Sequence, residues 1–355
     1  MRKLLLGMVL LLAAAWPAAA QKNELRIYHW NDYIADETVA RFEKQCRCKV
    51  VMDYFGDNEE LVAKLAAGAK GYDIYVPTMN YVPGMVKAGW LQPLDHSKLP
   101  NFKNVLPQYL NTEFDPGNRY SAPYAMSITM IGYNDRKIRE LGVPVDSWAT
   151  IFDPRILEKL KGRVTVLDSQ GELMAAALKY LGHSVNDRDP KHWEEAKKVI
   201  LRAKPYWAAF MAQGYIKELA SGNIWLVHGY SVDIFQADQG AQEAKQTFRV
   251  QFSLPKEGAV LALDAMVIAK SAPRPDLAHQ FINFMMDGRN SAELTNIIGS
   301  LNPNRDALKY IKPEIKAIKA IFPDEAMAAK LEMLKDMNAR ERRLMSRIWT
   351  EVKAK

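Results

Sequence analysis

Cysteine is nearly absent: two residues in 355, both in the tripeptide Cys46-Arg47-Cys48. That excludes a fold stapled by many disulfides, and two sulfurs are too few for a structural zinc site. Disulfides need particular Cα separations, so a bridge across one residue is expected to be strained, although an oxidising compartment permits it. The alternative is Cys48 packed beside Val50 with Cys46 exposed, and no function is assigned to either. Histidine is scarce too, and the six present (His29, His96, His183, His192, His228, His279) show no ligand spacing such as His-Glu-x-x-His. There is no Walker A loop and no Gly-x-Gly-x-x-Gly run. Gly229-Tyr230-Ser231-Val232-Asp233 lacks the final glycine of a nucleophile elbow. No catalytic residue, metal or cofactor is therefore expected. Internal repeats, low-complexity tracts and long linkers are also missing.

Apolar runs long enough to cross a bilayer, about 20 residues, are lacking as well. The nearest approach, residues 4–15, follows Arg2 and Lys3 and precedes Ala18, Ala19 and Ala20. This pattern predicts a cleaved secretory signal peptide over 1–20 and a mature protein in the periplasm. Residue 21 is Gln rather than Cys, so no lipid anchor is expected.

What is present is an ordinary globular composition, 48% hydrophobic and 25% charged. The net charge of +7 falls to +5 without Arg2 and Lys3. Residues 301–355 hold 13 Lys and Arg against 8 Asp and Glu, again +5, so the rest of the mature chain is close to neutral. The excess, including Arg340, Arg342, Arg343 and Arg347, reads as a solvated helix face, and no nucleic-acid partner is expected.

Strand patterns over 25–30, 49–55 and 72–77 alternate with helical stretches over 36–45 and 58–67. A second series begins near 131, with strands at 163–167 and 224–228 and helices at 172–181, 193–202 and from 232. Strand-like runs follow at 250–254 and 265–269, and the Ala-, Leu- and Met-rich tail from 323 onward is expected to be helical. Such alternation predicts βαβ units in an α/β fold, with ligands at the carboxyl ends of strands.

That rule selects particular loops. Trp30-Asn31-Asp32-Tyr33 follows the first strand and places two aromatics around a carboxylate. The carboxylate offers charge-assisted hydrogen bonds and each ring about 0.5–2 kcal/mol of cation–π attraction to an organic ammonium. An N-cap at Asp32 with core-packed neighbours is the alternative. Thr78, in Pro77-Thr78-Met79-Asn80-Tyr81, could orient a ligand or simply belong to a turn. Asp168 and Glu172, after the 163–167 strand, and Asp233, after the 224–228 strand, stand at helix starts. Capping is the preferred reading for Asp168, whereas Tyr230 beside Asp233 favours a ligand role there. Asp264, in an apolar run, needs a cationic partner, either a ligand or a Lys or Arg. A hydrolase pair built from Glu172 with Asp233 or Asp264 stays open, because spatial separation decides it.

Several segments carry a resemblance: Ile27-Tyr28-His29-Trp30-Asn31-Asp32-Tyr33-Ile34, Gln92-Pro93-Leu94-Asp95-His96-Ser97-Lys98-Leu99-Pro100, Val145-Asp146-Ser147-Trp148, Pro255-Lys256-Glu257-Gly258 and Trp349-Thr350-Glu351-Val352-Lys353. In them the chain resembles the periplasmic polyamine-binding proteins of ABC transporters, with the putrescine-binding branch nearest. The resemblance implies a type II-like periplasmic binding protein fold, two α/β lobes hinged around a ligand cleft. The implied lobes are 22–128 plus 264–300, and 129–263 plus 301–355. It implies a monomer that binds a polyamine or related organic cation through Trp30, Asn31, Asp32, Tyr33, Thr78, Glu172, Tyr230, Asp233 and Asp264, then delivers it to an inner-membrane permease. A receptor of this fold for an amino acid or a metal ion is the alternative. Met126, Ala262 and Ser300 stand where the branch carries aromatics, which implies a roomier pocket and a cation longer, bulkier or more polar than putrescine.

Overall fold

The computed structural model describes residues 23–354 other than 32 and 213, so the expected leader and Asp32 lie outside the described residues. Among the described residues ten strands form one mixed sheet. They are β1 (Glu24–Trp30), β2 (Lys49–Phe55), β3 (Ile74–Tyr75), β4 (Leu91–Gln92), β5 (Ser121–Asn134), β6 (Val164–Leu167), β7 (Ala209–Met211), β8 (Leu226–Tyr230), β9 (Val250–Ser253) and β10 (Leu261–Ala269). Their spatial order is β2-β1-β3-β10-β5-β8-β6-β7, with β4 beside β10 and β9 beside β5. β1 pairs in parallel with β2 and β3, and β6 in parallel with β7 and β8, as the βαβ reading requires. Helices fill the crossovers, giving two α/β lobes. In the first, the helix Asp36–Cys46 buries Phe42 edge-on against Phe281 of the helix Pro275–Met285, ring centroids 5.0 Å apart.

The 14-residue strand β5 joins the lobes and escapes a sequence reading that starts the second series near 131. Its first half pairs antiparallel with β10, its second half with β8 and β9. Nearly every residue of it is buried, so it lacks the apolar–polar alternation by which a half-exposed strand is recognised. Pro123 interrupts the pattern as well, yet it sits at a register shift where Asp264 opposes Ala125 and Ala265 opposes Pro123. A bulge tolerates a residue that cannot donate to the ladder.

Three expectations are corrected. Cys46 and Cys48 form a disulfide, both half-buried, with Cα atoms 5.2 Å apart, a separation within the ordinary range. The strand expected over 72–77 shrinks to β3. In the tail only Glu325–Ala328 and Ala339–Ala354 are helical. Between them, after a turn at 329–330, the chain is non-helical and crosses the second lobe, where Glu332 donates its N–H to Ala259 O (3.1 Å) and its carbonyl accepts from Leu261 N (2.9 Å). These main-chain bonds outweigh local helix propensity, a weak prior against tertiary contacts. The final helix buries Met345, Ile348 and Val352 and leaves Arg340, Arg342, Arg343 and Arg347 in solvent. That is the solvated face read from the charge pattern.

Two of the resemblance-bearing segments, 145–148 and 255–258, form a joint. Ser147 Oγ and Trp148 N donate to the Glu257 carboxylate, and Trp148 Nε1 donates to Gly258 O at 2.8 Å, locking two segments over 100 residues apart.

Candidate functional site

Strands β1, β3, β6 and β8 direct their carboxyl ends at one region, and β10 threads between them. Asp264 stands in the β10 ladder at the bulge, opposite Ala125, and makes an antiparallel bridge to Thr78, three residues beyond β3. Thr78 Oγ1 donates to Asp264 Oδ1 at 2.8 Å and accepts from Asn58 Nδ2 at 2.9 Å, which fixes its proton toward the carboxylate. The Tyr33 hydroxyl also donates to Asp264, and Tyr33 O accepts from Tyr124 Oη at 3.0 Å. Tyr124 is the residue left unmatched by the bulge, so one irregularity places both groups.

From the other lobe, Tyr230 ends β8 and Asp233 lies in the first turn of the helix Ser231–Glu243. Asp233 accepts from the Tyr215 hydroxyl, which in turn accepts from Tyr230 N at 3.2 Å. Gly229 makes this possible: a Cβ there would lie 2.7 Å from the Tyr215 ring. Glu172 lies in the first turn of the helix Gln170–Tyr180 and accepts from Thr129 Oγ1 at 2.7 Å, on the half of β5 that belongs with β8. Tyr33 lies within reach of the charges of both Asp264 and Asp233, and Tyr230 within reach of those of Glu172 and Asp233.

Burial dominates the electrostatics. Asp264 and Glu172 are 3% and 7% exposed. Desolvation pushes Asp264 and Glu172 up to about 7 and Asp233 up to about 6, against hydrogen bonds that pull the other way. Among the described residues none of the three forms an ion pair with Lys, Arg or His. Asp264 and Glu172 are buried and Asp233 half-buried, and carboxylates so placed without a protein cation are costly unless a ligand supplies the charge. Trp30 packs 4.5 Å from Phe55 and 6.4 Å from Tyr33. Its indole nitrogen is a donor, so to an ammonium it can offer only the ring face.

The structure thus gathers Trp30, Tyr33, Thr78, Glu172, Tyr230, Asp233 and Asp264. Asn31 sits exposed on the turn after β1, and Asp32 is outside the described residues. Ala35, not Asp32, occupies the N-cap of the following helix. Asp168 is corrected: Ser169 caps the helix, while Asp168 accepts from Lys353 Nζ at 2.9 and 3.0 Å. Asn58, Tyr124, Thr129 and Tyr215 were missed, since each acts through a contact distant in sequence. The one available signal was Gly229, whose missing side chain marks a close approach. Met126 and Ser300 are fully buried, Met126 paired with Leu263 and bridged to Leu301, and Ser300 Oγ 3.2 Å from Thr295 Oγ1.

A family model described as bacterial extracellular solute-binding protein matches residues 37–323. The chain belongs to that family. This solute-binding protein is 54% identical to a putrescine/cadaverine-binding protein of Pseudomonas aeruginosa, over 99% of each chain. It is 37% identical to the putrescine-binding periplasmic protein of Escherichia coli, over 99% of this chain and 98% of that one. Among solved structures, the spermidine/putrescine ABC transporter substrate-binding protein of Streptococcus pneumoniae superposes with a TM-score of 0.81 at 28% identity, covering 94% of this chain and 99% of that one. The solute-binding protein therefore has the two-lobe fold of periplasmic binding proteins, the fold that the resemblance implied.

Proposed function

We propose that this solute-binding protein is a periplasmic, monomeric receptor that encloses a polyamine dication between its lobes and delivers it to an ABC transporter permease, without chemical change to the ligand. The observation that carries this is the set Asp233, Asp264 and Glu172, two buried carboxylates and one half-buried, with no Lys, Arg or His partner among the described residues and with Trp30, Tyr33 and Tyr230 gathered beside them. Asp233 and Asp264 are proposed to hold one ammonium and Glu172 the other, with Asn31 and Asp32 completing the first loop. The names of the relatives agree. The lobes are proposed to comprise 22–128 plus 264–300 and 129–263 plus 301–355; the change of partner strand at Ile128 and Thr129 supports the first boundary. Secretion through a signal peptide over 1–20 belongs to the same proposal.

An amino-acid ligand would call for an Arg opposite its carboxylate, and the gathered side chains include none. A ferric site would call for ionised tyrosines, whereas burial, followed by neighbouring carboxylates, holds Tyr33 and Tyr230 well above the ordinary phenol range. Ligand length is set loosely. Met126, Ala262 and Ser300 lack the bulk of aromatic rings, so the site is proposed to accept cations longer or bulkier than putrescine. Calorimetric titration with putrescine, cadaverine, spermidine, spermine and agmatine, followed by recovery of the amine, tests all of this. Binding of at least one longer amine as tightly as putrescine, with the amine recovered intact, is expected. Clear preference for putrescine overturns the length reading, failure to bind any amine overturns the polyamine reading, and a chemically altered amine overturns the receptor reading.

A further inference from the structure

Far from the cleft, on the second lobe, the loop that leads into the helix Pro190–Ala203 brings together His183, Asp187 and His192. One nitrogen from each imidazole and one carboxylate oxygen lie within 4.8 Å of one another, all on half-buried residues. His192 Nδ1 is 2.9 Å and His183 Nδ1 3.8 Å from the same oxygen, Asp187 Oδ2. The two rings lie nearly parallel, 16° apart in plane and 3.9 Å between centroids. We propose that His183, Asp187 and His192 form a binding site for a divalent late first-row transition ion, Zn²⁺ or Ni²⁺, that is separate from the ligand cleft.

Imidazole and carboxylate at about 2.0–2.2 Å from a tetrahedral zinc stand about 3.4 Å from each other. The observed 2.9 and 3.8 Å bracket that value, so the metal fits with small side-chain adjustments. Imidazole nitrogens also select the later ions of the series over Mg²⁺ and Ca²⁺.

The carboxylate is aimed. Asp187 Oδ1 accepts Asp189 N–H at 2.8 Å, which leaves Oδ2 to the histidines. The Asp187 main chain is tied on both sides, its N–H to Ser184 O (3.1 Å) and its carbonyl to Nε1 of the fully buried Trp193 (2.6 Å). Such outer contacts commonly govern metal affinity by 10–100-fold. The other four histidines are committed elsewhere: burial lowers His29 to about 4 and His228 to about 3, His96 Nε2 lies 2.9 Å from Asn118 O, and His279 accepts from Asp95 N–H at 2.9 Å.

The test uses the untagged mature protein, stripped with chelator and titrated with Zn²⁺ and with Ni²⁺ by calorimetry at neutral pH, beside thermal melts of each variant. One equivalent is expected to bind the native protein. Asp187→Asn keeps an oxygen for Asp189 N–H while removing the anionic ligand, and is expected to lose at least tenfold in affinity, as is His183→Ala. Retained affinity in a folded His183→Ala/His192→Ala double variant, or no binding of either ion to the native protein, overturns the proposal.

Discussion

Asp264 shows how a single residue can be ambiguous in sequence and informative in space. An aspartate in the run 259–269 could equally have met an internal Lys or Arg. Instead it has two hydroxyl donors and no ion pair among the described residues. Removing a charge that a buried ammonium depends on costs about 2–5 kcal/mol, so Asp264→Asn is expected to weaken polyamine binding roughly 30-fold at the least. Asp168→Asn severs only the solvent-accessible pair with Lys353, worth about 1 kcal/mol or less, and should leave affinity within about fivefold. Equal losses in the two variants, measured by calorimetry, would show that the site is misplaced.

The same residues predict a pH dependence. The folded values of about 6–7 for Asp233, Glu172 and Asp264 lie above the ordinary 3.8 and 4.5. Between those limits the ligand-free folded protein binds more protons than the unfolded chain, so its stability falls as pH rises through that window. Primary ammonium groups stay charged well above neutrality, near the Lys value of about 10.4. A dication must therefore displace the carboxylate protons. Affinity is expected to rise at least about tenfold from pH 5 to pH 8, with net proton release on binding near pH 6. Calorimetry in buffers of different ionisation enthalpy measures both. A flat profile would sink the assignment of these carboxylates to the ligand.

At the level of elements, the tail exposes the limit of local reasoning. Its Ala-, Leu- and Met-rich composition favours helix throughout, yet 331–338 is non-helical, with Glu332 bonded to Ala259 and Leu261 because the β10 approach offers main-chain partners. Gly258 is what lets that segment close in: it adopts φ +94°, and a Cβ there would stand 2.3 Å from Lys330 O. Gly258→Ala is expected to destabilise the fold by about 1–3 kcal/mol through this backbone conformation alone, and by more through the clash. An unchanged denaturation midpoint would refute the seating argument. β5 makes the complementary point. A strand buried on both faces carries no period-two signal, and only its pairing with β10, β8 and β9 reveals it.

For the whole molecule, the candidate site draws on both sides of the sheet. Thr78, Tyr33 and Asp264 come from the β1–β3–β10 side, Tyr230, Asp233 and Glu172 from the β8–β6 side. With the lobes placed as they are, Asp264 and Glu172 are almost inaccessible, so a ligand can enter only if the lobes part. Ligand then favours the closed state by its differential affinity for it. Small-angle scattering is expected to show a smaller radius of gyration with polyamine than without. At 100 times the dissociation constant, folding stability should rise by about 2.7 kcal/mol. An identical radius in both states would argue against closure.

Sequence by itself settled what local pattern can encode: the βαβ alternation, the near-neutral body with a basic final helix, and the loops at strand ends where a ligand would be met. Residues 49–55 form a strand within those limits, and the helices begin within a few residues of their expected starts. Tertiary structure alone decided which carboxylates lack a Lys, Arg or His partner among the described residues, that Asp168 belongs to Lys353, and that Tyr215 and Thr129 hold Asp233 and Glu172. The reason is physical. Propensity and periodicity act over a few residues, whereas desolvation and pairing depend on groups that the chain brings together from more than 40 residues away, as Thr129 and Glu172 are.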